Sequence, residues 1–266
     1  MNFFIDTHSH IYYDQYKNDL PAIIDAAKQN NVGKIICVGT DIKTSFESIE
    51  IASQYDDVYC TVGCHPHETS KVEKNYIYEL EQMCKNSKVV AIGETGLDYY
   101  YNHSPPSIQK KCFIDQINLS SDLEMPIVIH NRNSDEDLLI ILEKYKPTGV
   151  IHCFSGDINL AKKIIELGML LSFTGIVTFN SSKLDDVIRE VNFNKFMIVG
   201  HRWDMDVTDD INFNDPIEKS KHFEAFMKYL DPWLSIRTKK EVFKEMQEFR
   251  VMVAPVVNMS EVVEDE

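Results

Sequence analysis

The sequence predicts an α/β fold, a (β/α)8 barrel of the TIM type with an atypical C-terminal segment in place of the usual last helix. Eight short runs of apolar and β-branched residues alternate with seven longer amphipathic stretches, a pattern typical of βα units. Polar side chains suited to metal binding directly follow several of these runs, at the end of the strand where barrel proteins keep their sites. Together these two observations favour a closed barrel of parallel strands.

The expected elements alternate without interruption over the first 199 residues. The expected strands are Phe3–Thr7, Lys34–Val38, Val58–Val62, Val89–Ile92, Ile127–Ile129, Gly149–His152, Met169–Phe173 and Lys195–Val199. The expected helices are Leu20–Gln29, Ser45–Ser53, Ile77–Lys85, Ser107–Leu123, Glu136–Tyr145, Leu160–Leu167 and Leu184–Glu190. Because a helix separates each strand from the next, the strands are expected to run parallel.

The alternation stops at Gly200. The segment WDMDVTDDINFNDP is acidic and rich in turn-forming residues, and helices are expected only near Phe223–Leu230 and Val242–Phe249. We therefore divide the chain into a barrel over residues 1–199 and a helical tail over residues 200–266. Without the usual last helix, strands eight and one need another apolar cover, and tail helices with apolar faces are candidates.

Composition limits the class of protein and of partner. With 44% hydrophobic side chains the chain can bury a full core, and no run approaches the roughly 18 apolar residues of a membrane span. A cytoplasmic protein without a membrane partner is expected. The six cysteines lack the paired spacing of zinc or redox motifs, so we interpret them as reduced and mostly buried. The formal net charge of −15 argues against an open basic groove for long nucleic acid.

Histidines gather where the expected strands end. His8 and His10 follow the first strand, and side chains two residues apart in an extended segment point the same way. Six of the nine histidines fall at such positions, together with one glutamate; these residues are His8, His10, His65, His67, Glu94, His130 and His152. Imidazole and carboxylate groups that converge at one rim of a barrel predict a metal cluster.

Several of these residues have a second interpretation. His65 and His67 flank a proline in a loop, so a structural or substrate-contacting role competes with metal ligation. Asp98 either caps the turn before the next helix or takes part in the chemistry. Arg132 is either a solvated loop charge or, two residues after His130 at the rim of the barrel, a residue well placed to bind a phosphate through two N–H groups. The tyrosines over residues 99–101 either pack or stack on a base.

The motifs resemble those of the TatD family of metal-dependent hydrolases. The segments DTHSHI, VGCHPHE, AIGETGLDYY, IVIHNR, HCFSG and LSFTGIVTF occur in the family's order and with suitable separations, over about residues 3 to 199. The resemblance implies hydrolysis of DNA ends or short single-stranded DNA, often from the 3′ end, with no obligate protein partner. It also implies two divalent metal ions, either magnesium, manganese or zinc.

The resemblance also implies a role for each matched residue. His8 and His10 bind one metal, Glu94 bridges two, and His130 and His152 bind the second. Glu94 and Arg132 are the expected catalytic residues, and Arg132 with His65 and His67 is expected to contact substrate. The ions would lower the pKa of water and neutralise charge on the phosphoryl oxygens, so no covalent nucleophile is needed.

The match fails after the last expected strand. In the family an aspartate in a Glu-Thr-Asp segment binds metal there, whereas this chain has Gly-His-Arg and places Arg202 at that position. A cation would repel metal, so impaired activity is expected unless Asp204 or Asp206 acts as a substitute ligand; His201 is a further stand-in. The tail resembles a fragment of the CaiB/BaiF class of CoA-transferases and lacks the part that holds their catalytic aspartate, which suggests a chimera.

Two alternatives to a nuclease follow. An inactive metal-binding barrel or chimera is favoured by Arg202 and by the unusual tail. A small-molecule amide or lactone hydrolase is the other alternative, because related barrels also begin with a His-x-His motif. Many of those carry a modified lysine on the fourth strand, whereas this chain has Glu94 there, which favours the nuclease.

Overall fold

A computed structural model describes residues 4–30, 32–174, 184–191 and 196–198 of the chain. Within these ranges eight strands form one sheet. The strands are β1 Phe4–Ser9, β2 Val32–Val38, β3 Val58–Val62, β4 Val89–Asp98, β5 Ile127–Arg132, β6 Gly149–His152, β7 Leu170–Phe173 and β8 Phe196–Ile198. Each strand pairs in parallel with the next one in the chain, in the order β1 to β8. The predicted TIM-barrel-like α/β fold is confirmed.

Helices fill the connections between the strands. The described helices are α1 Asp14–Lys17, α2 Leu20–Gln29, α3 Ile42–Gln54, α4 Tyr76–Met83, α5 Pro106–Asp122, α6 Asp135–Tyr145, α7 Ile158–Glu166 and α8 Leu184–Glu190. All seven predicted helices are present, and the short α1 and a 3-10 turn at Thr69–Lys71 are additions. Right after β2 the Asp41 carboxylate accepts the backbone N–H of Thr44, and the Thr44 hydroxyl accepts that of Asp41. This reciprocal cap fixes the start of α3.

The sheet is strongly curled. The imidazole rings of His8, at the end of β1, and His152, at the end of β6, stack with centroids 3.6 Å apart. In a flat sheet five strand spacings would separate these residues by about 24 Å. The contact therefore requires the sheet to bend round on itself, which brings the carboxyl ends of its strands to one rim.

The core lies between the sheet and the surrounding helices. Its largest fully buried side chains include Phe113 of α5, Leu138 of α6, and Phe154 and Phe173 beside β6 and β7. The described cysteines are all free thiols, and four of the six are buried, in agreement with the prediction. No helix in the described ranges is both long and apolar enough to cross a membrane.

The strand boundaries agree with the prediction to within two residues except at the ends of β4 and β5, and β5 continues three residues beyond its predicted end at Ile129, to Arg132. β3 and β6 have the predicted limits, whereas β4 continues six residues beyond the predicted end at Ile92, to Asp98. The extension arises because residues 95–98 pair with residues 129–132 of β5 after a register shift. The predicted helical tail, with Arg202, Asp204, Asp206 and both of its expected helices, lies outside the described residues.

Candidate metal centre

The carboxyl end of β1 and the residue that follows it supply two buried histidines to the rim. His8 and His10 are only 1% and 5% exposed. Nδ1 of His10 lies 2.7 Å from the backbone oxygen of Val38 on the neighbouring strand. Because a carbonyl oxygen only accepts, this contact places a proton on Nδ1 and leaves the lone pair of neutral His10 on Nε2. The second ring nitrogen of a metal-binding histidine is usually held in this way.

Two glycines bring Glu94 close to the histidines that follow β3. A Cβ atom on Gly63 would lie 2.6 Å from Cα of Gly93, and Gly93 has a φ of +135°, in the region that favours glycine. Only two residues without side chains permit this approach of β3 and β4. It places the loop that carries His65 beside the carboxylate of Glu94, which is 4% exposed.

The two oxygens of Glu94 face different histidines. Oε2 lies 3.3 Å from Nε2 of His8, on one side. Oε1 lies 3.1 Å from Nδ1 of His130 and 3.8 Å from Nε2 of His65, on the other side. The carboxylate therefore lies between two sets of imidazoles drawn from three strand ends, an arrangement suited to bridging two cations.

The donor atoms form two groups that share Glu94. His8, His10 and Glu94 make up the first, and His65, Glu94 and His130 the second; within each group one donor atom per residue lies within 4.8 Å of the others. Two imidazoles and a carboxylate are a donor set that Zn²⁺ and similar divalent ions prefer. By residue type and separation, the described residues thus fit divalent metal ions.

His152 occupies a different position from the second-group histidines. It is 5% exposed, and its ring lies 11° from parallel with that of His8. The described donor groups include His65 and leave His152 outside, although the ring of His152 contacts a member of the first group. Whether His152 binds the second ion, as the family resemblance implies, stays a prediction.

Asp98 is a site residue that the sequence interpretation left open. Its Oδ1 accepts the backbone N–H groups of Tyr100 and Tyr101, which is the predicted turn cap. Its Oδ2 lies 3.1 Å from Nε2 of His130 and 2.9 Å from Nε2 of His67. Asp98 therefore both caps the turn and orients two histidines. A carboxylate behind a metal-binding imidazole fixes its tautomer and ring orientation.

A predicted β4 that continued to residue 98 would have identified Asp98 as a site residue. Glu94 and Asp98 are four residues apart in a single strand, so their side chains share a face. The prediction ended this strand at Ile92 and so placed both carboxylates in a loop.

Burial and hydrogen bonding oppose each other at the carboxylates. Burial by itself raises the pKa of Glu94, but hydrogen bonds to His130 and His8 outweigh it and hold the pKa well below its ordinary value. The pKa of Asp98 is also lowered, because hydrogen bonds to His130 and His67 outweigh its burial. Both carboxylates are thus ionised at neutral pH, as metal binding and histidine orientation require.

The histidines of the second group differ in charge. Burial lowers the pKa of His130, but Asp98 and Glu94 more than compensate and raise it from 6.5 to about 9. Burial, followed by the positive charge of His130, lowers the pKa of His65 to about 3. When no other cation balances the carboxylates, His130 is therefore the imidazolium between them and His65 is neutral. A metal ion at this position would replace that proton.

Hydrogen bonding determines which ring nitrogen of neutral His65 carries the proton. Its Nδ1 accepts the backbone N–H of His67 at 3.2 Å, so its own ring proton lies on Nε2, the atom directed at Glu94. Metal ligation through Nε2 would require this hydrogen bond to break. His130 needs no such rearrangement, because Asp98 accepts from its other nitrogen.

Arg132 lies at the mouth of the site. It is the last residue of β5, and its guanidinium carbon lies 4.1 Å from the ring centroid of Tyr100 and 4.6 Å from that of Tyr101. These are cation–π contacts. Among the described residues no carboxylate forms an ion pair with this guanidinium, whose N–H edges are not used by stacking.

Comparison with known proteins identifies the family. The family model described as TatD related DNase matches residues 5–198. The chain belongs to the TatD family. It is 36% identical over 197 residues to the uncharacterized metal-dependent hydrolase YabD of Bacillus subtilis, covering 73% of this chain and 77% of that protein. It is 32% identical over 205 residues to deoxyribonuclease Tat-D of Schizosaccharomyces pombe, covering 71% of this chain and 65% of that one.

Solved structures agree with this assignment. The TatD homologue YjjV of Escherichia coli has a TM-score of 0.71 and 25% identity, covering 85% of this chain and 90% of that one. A TatD family hydrolase of Entamoeba histolytica has a TM-score of 0.68 and 26% identity, covering 74% and 73%. The protein is thus a metal-dependent hydrolase of the TatD family, and the TatD resemblance predicted from the motifs is confirmed.

Proposed function

We propose that this TatD-family hydrolase is a deoxyribonuclease that cleaves phosphodiester bonds at DNA ends or in short single-stranded DNA, acting from the 3′ end. The main support is the carboxylate of Glu94, whose two oxygens face separate histidine groups at 3.3 Å and 3.1 Å. Phosphodiester hydrolysis commonly uses paired divalent ions, and a shared carboxylate is how such pairs are held. The deoxyribonuclease name of the Schizosaccharomyces pombe relative points to the same substrate.

Two divalent ions, either magnesium, manganese or zinc, would complete this site. His8 and His10 with Glu94 would hold one ion, and His130 with Glu94 and the implied ligand His152 the other. When bound, the ions would supply the acidity that activates water and the positive charge that balances the phosphoryl oxygens.

The remaining residues would position the substrate and the ligands. Asp98 keeps Nε2 of His130 occupied, so that Nδ1 faces Glu94. Arg132 offers N–H donors to a phosphate oxygen, and His67, whose Nε2 is held by the same carboxylate, contacts Tyr101, which also contacts Arg132. We assign Arg132 and His67 to substrate binding, and His65 to the same role because its Nδ1 already accepts from the backbone.

The family position occupied by Arg202 is expected to limit the rate. An arginine there supplies neither a ligand nor a base, and it repels cations. Replacing Arg202 by Asp should raise the hydrolysis rate by on the order of a hundredfold, the usual contribution of a positioned acid–base group. Asp204 and Asp206 are the proposed substitutes, and the increase will be smaller if either already acts as a ligand.

A nuclease assay tests the proposal. The full chain is stripped with chelator, reloaded with Mn²⁺ and incubated with single-stranded oligonucleotides labelled at either end, alongside the variants Glu94→Ala and Arg202→Asp. Shortening of a 5′-labelled strand that depends on Mn²⁺ and on Glu94, and is faster for Arg202→Asp, is the expected result. The proposal would be contradicted if the wild type and Arg202→Asp both hydrolysed the oligonucleotides no faster than Glu94→Ala does. Arg202→Asn, which removes the cation without adding a carboxylate, is the matched control.

A further inference from the structure

A cluster of rings extends outward from the candidate metal centre. The ring of His67 lies 5.5 Å from that of Tyr101 and 4.7 Å from that of His103. Tyr101 and His103 are stacked within 5° of parallel, and Tyr100 meets Tyr101 edge to face at 4.9 Å. The cluster therefore begins beside the histidine that Asp98 holds and continues to the surface.

Arg132 brings an unbalanced charge to this cluster. Within the described part of the chain its guanidinium makes no ion pair with a carboxylate; its charged group contacts the faces of Tyr100 and Tyr101 instead. Stacking uses the flat faces of a guanidinium and leaves its N–H fork unsatisfied. In a chain of net charge −15, an arginine held by rings rather than by a carboxylate is suited to an anionic ligand.

The three adjacent tyrosines differ in surroundings. Tyr99 is partly buried and donates its hydroxyl to Asp137 at 2.7 Å, which explains it as a packing residue. Tyr100 is 57% exposed, and its described ring contacts are with Arg132 and Tyr101. Core packing thus accounts for Tyr99 and leaves the exposure of Tyr100 unexplained.

We propose that Tyr100, Tyr101 and Arg132 form a subsite for one unpaired nucleotide, in which the base stacks on Tyr100 and the phosphate is held by Arg132. The inference rests on the proposed action on DNA and specifies how the substrate is selected. A base in a duplex has both faces covered by its neighbours, so stacking on a side chain requires a free end or a single strand. The subsite therefore selects single-stranded ends, and it does so without a basic groove.

The test separates base stacking from charge. Binding of a fluorescent ten-residue phosphorothioate oligothymidylate in Mn²⁺ is measured by anisotropy and compared with a phosphorothioate oligomer of abasic residues. Tyr100→Ala should weaken oligothymidylate binding about tenfold or more, the usual effect of losing one base–aromatic stack, and change abasic binding less than about twofold. Tyr100→Phe, which keeps the ring, should bind both oligomers as the wild type does. Arg132→Gln should weaken both oligomers.

A matched control lies on the outer surface. Tyr78 of α4 is 62% exposed, and Tyr78→Ala should leave both affinities unchanged. Three results would overturn the subsite. Tyr100→Ala could bind oligothymidylate as tightly as the wild type does, or it could lose the same affinity for both oligomers. The third result is that the wild type binds neither oligomer. If the wild type hydrolyses DNA and Tyr100→Ala shows no base-specific loss, only this inference fails. If stacking depends on Tyr100 but no DNA is hydrolysed, only the proposed nuclease function fails.

Discussion

The rings of His8 and His152 stack at 3.6 Å, although their strands are five places apart in the sheet. This contact joins two carboxyl ends of the curled sheet and places His152 directly against the first donor group. Stacking and metal ligation by His152 predict different results for substitution, because only ligation needs a ring nitrogen.

We expect His152→Phe to lose one of the two bound ions, as the proposed ligand role requires. Phenylalanine keeps a flat ring against His8 but offers no lone pair. Metal content after reloading with Zn²⁺, measured by mass spectrometry of the purified variant, checks this. Full retention of metal by His152→Phe, with loss only in His152→Ala, would show that His152 serves to pack His8.

Asp98→Asn should weaken the ion held by His130 about 10- to 100-fold, because the carboxylate that fixes the imidazole is lost. The ion held by His8 and His10 should keep its affinity. Competition with a chromophoric chelator resolves the two affinities. The matched control is Asp56→Asn, an exposed position before β3 that should change neither. Unchanged binding of both ions by Asp98→Asn would contradict the positioning role.

Gly63→Ala should destabilise the fold by about 1–3 kcal/mol, because its Cβ would meet backbone atoms of Gly93 that have no room to move. The same clash would separate His65 from Glu94, so metal affinity should fall as well. Urea unfolding and metal titration measure the two effects. Ser53→Ala, on the exposed face of α3, is the control. A Gly63→Ala protein as stable as the wild type would rule out the close approach of β3 and β4.

In metal-stripped protein, His130 should make stability depend on pH. Its pKa is raised from 6.5 to about 9 in the folded state, so the folded protein holds the proton more tightly than the unfolded chain. The resulting stabilisation, on the order of 3 kcal/mol, is complete below about pH 6.5 and is lost as the pH rises through about 9. The difference in unfolding free energy between wild type and His130→Gln should therefore shrink between pH 6 and pH 10. An equal difference at both pH values would contradict this charge assignment.

The barrel and most of the site were predictable from the sequence because both depend on local patterns. Runs of β-branched residues identified all eight strands, and the position of His8, His130 and His152 at strand ends identified the rim. The limits of β4 were not predictable in the same way. Its last six residues lack a long apolar run, and residues 95–98 are extended because they pair with β5 after a register shift.

The arrangement of donors around Glu94 was beyond sequence reasoning for a different reason. Which imidazole faces Oε1 and which Oε2 depends on side-chain orientation and on hydrogen bonds to atoms distant in the chain. Val38 orients His10, and Asp98 orients His130, across 28 and 32 residues respectively. Histidine spacing alone carries no information about these partners.

In the proposed site one carboxylate, that of Glu94, holds two metal ions. The most direct measurement is the number of divalent ions per chain after reloading, for the wild type, Glu94→Ala and the control Glu136→Ala on the exposed face of α6. We expect about two ions per chain for the wild type and the control, and nearly none for Glu94→Ala. Retention of both ions by Glu94→Ala would contradict this expectation.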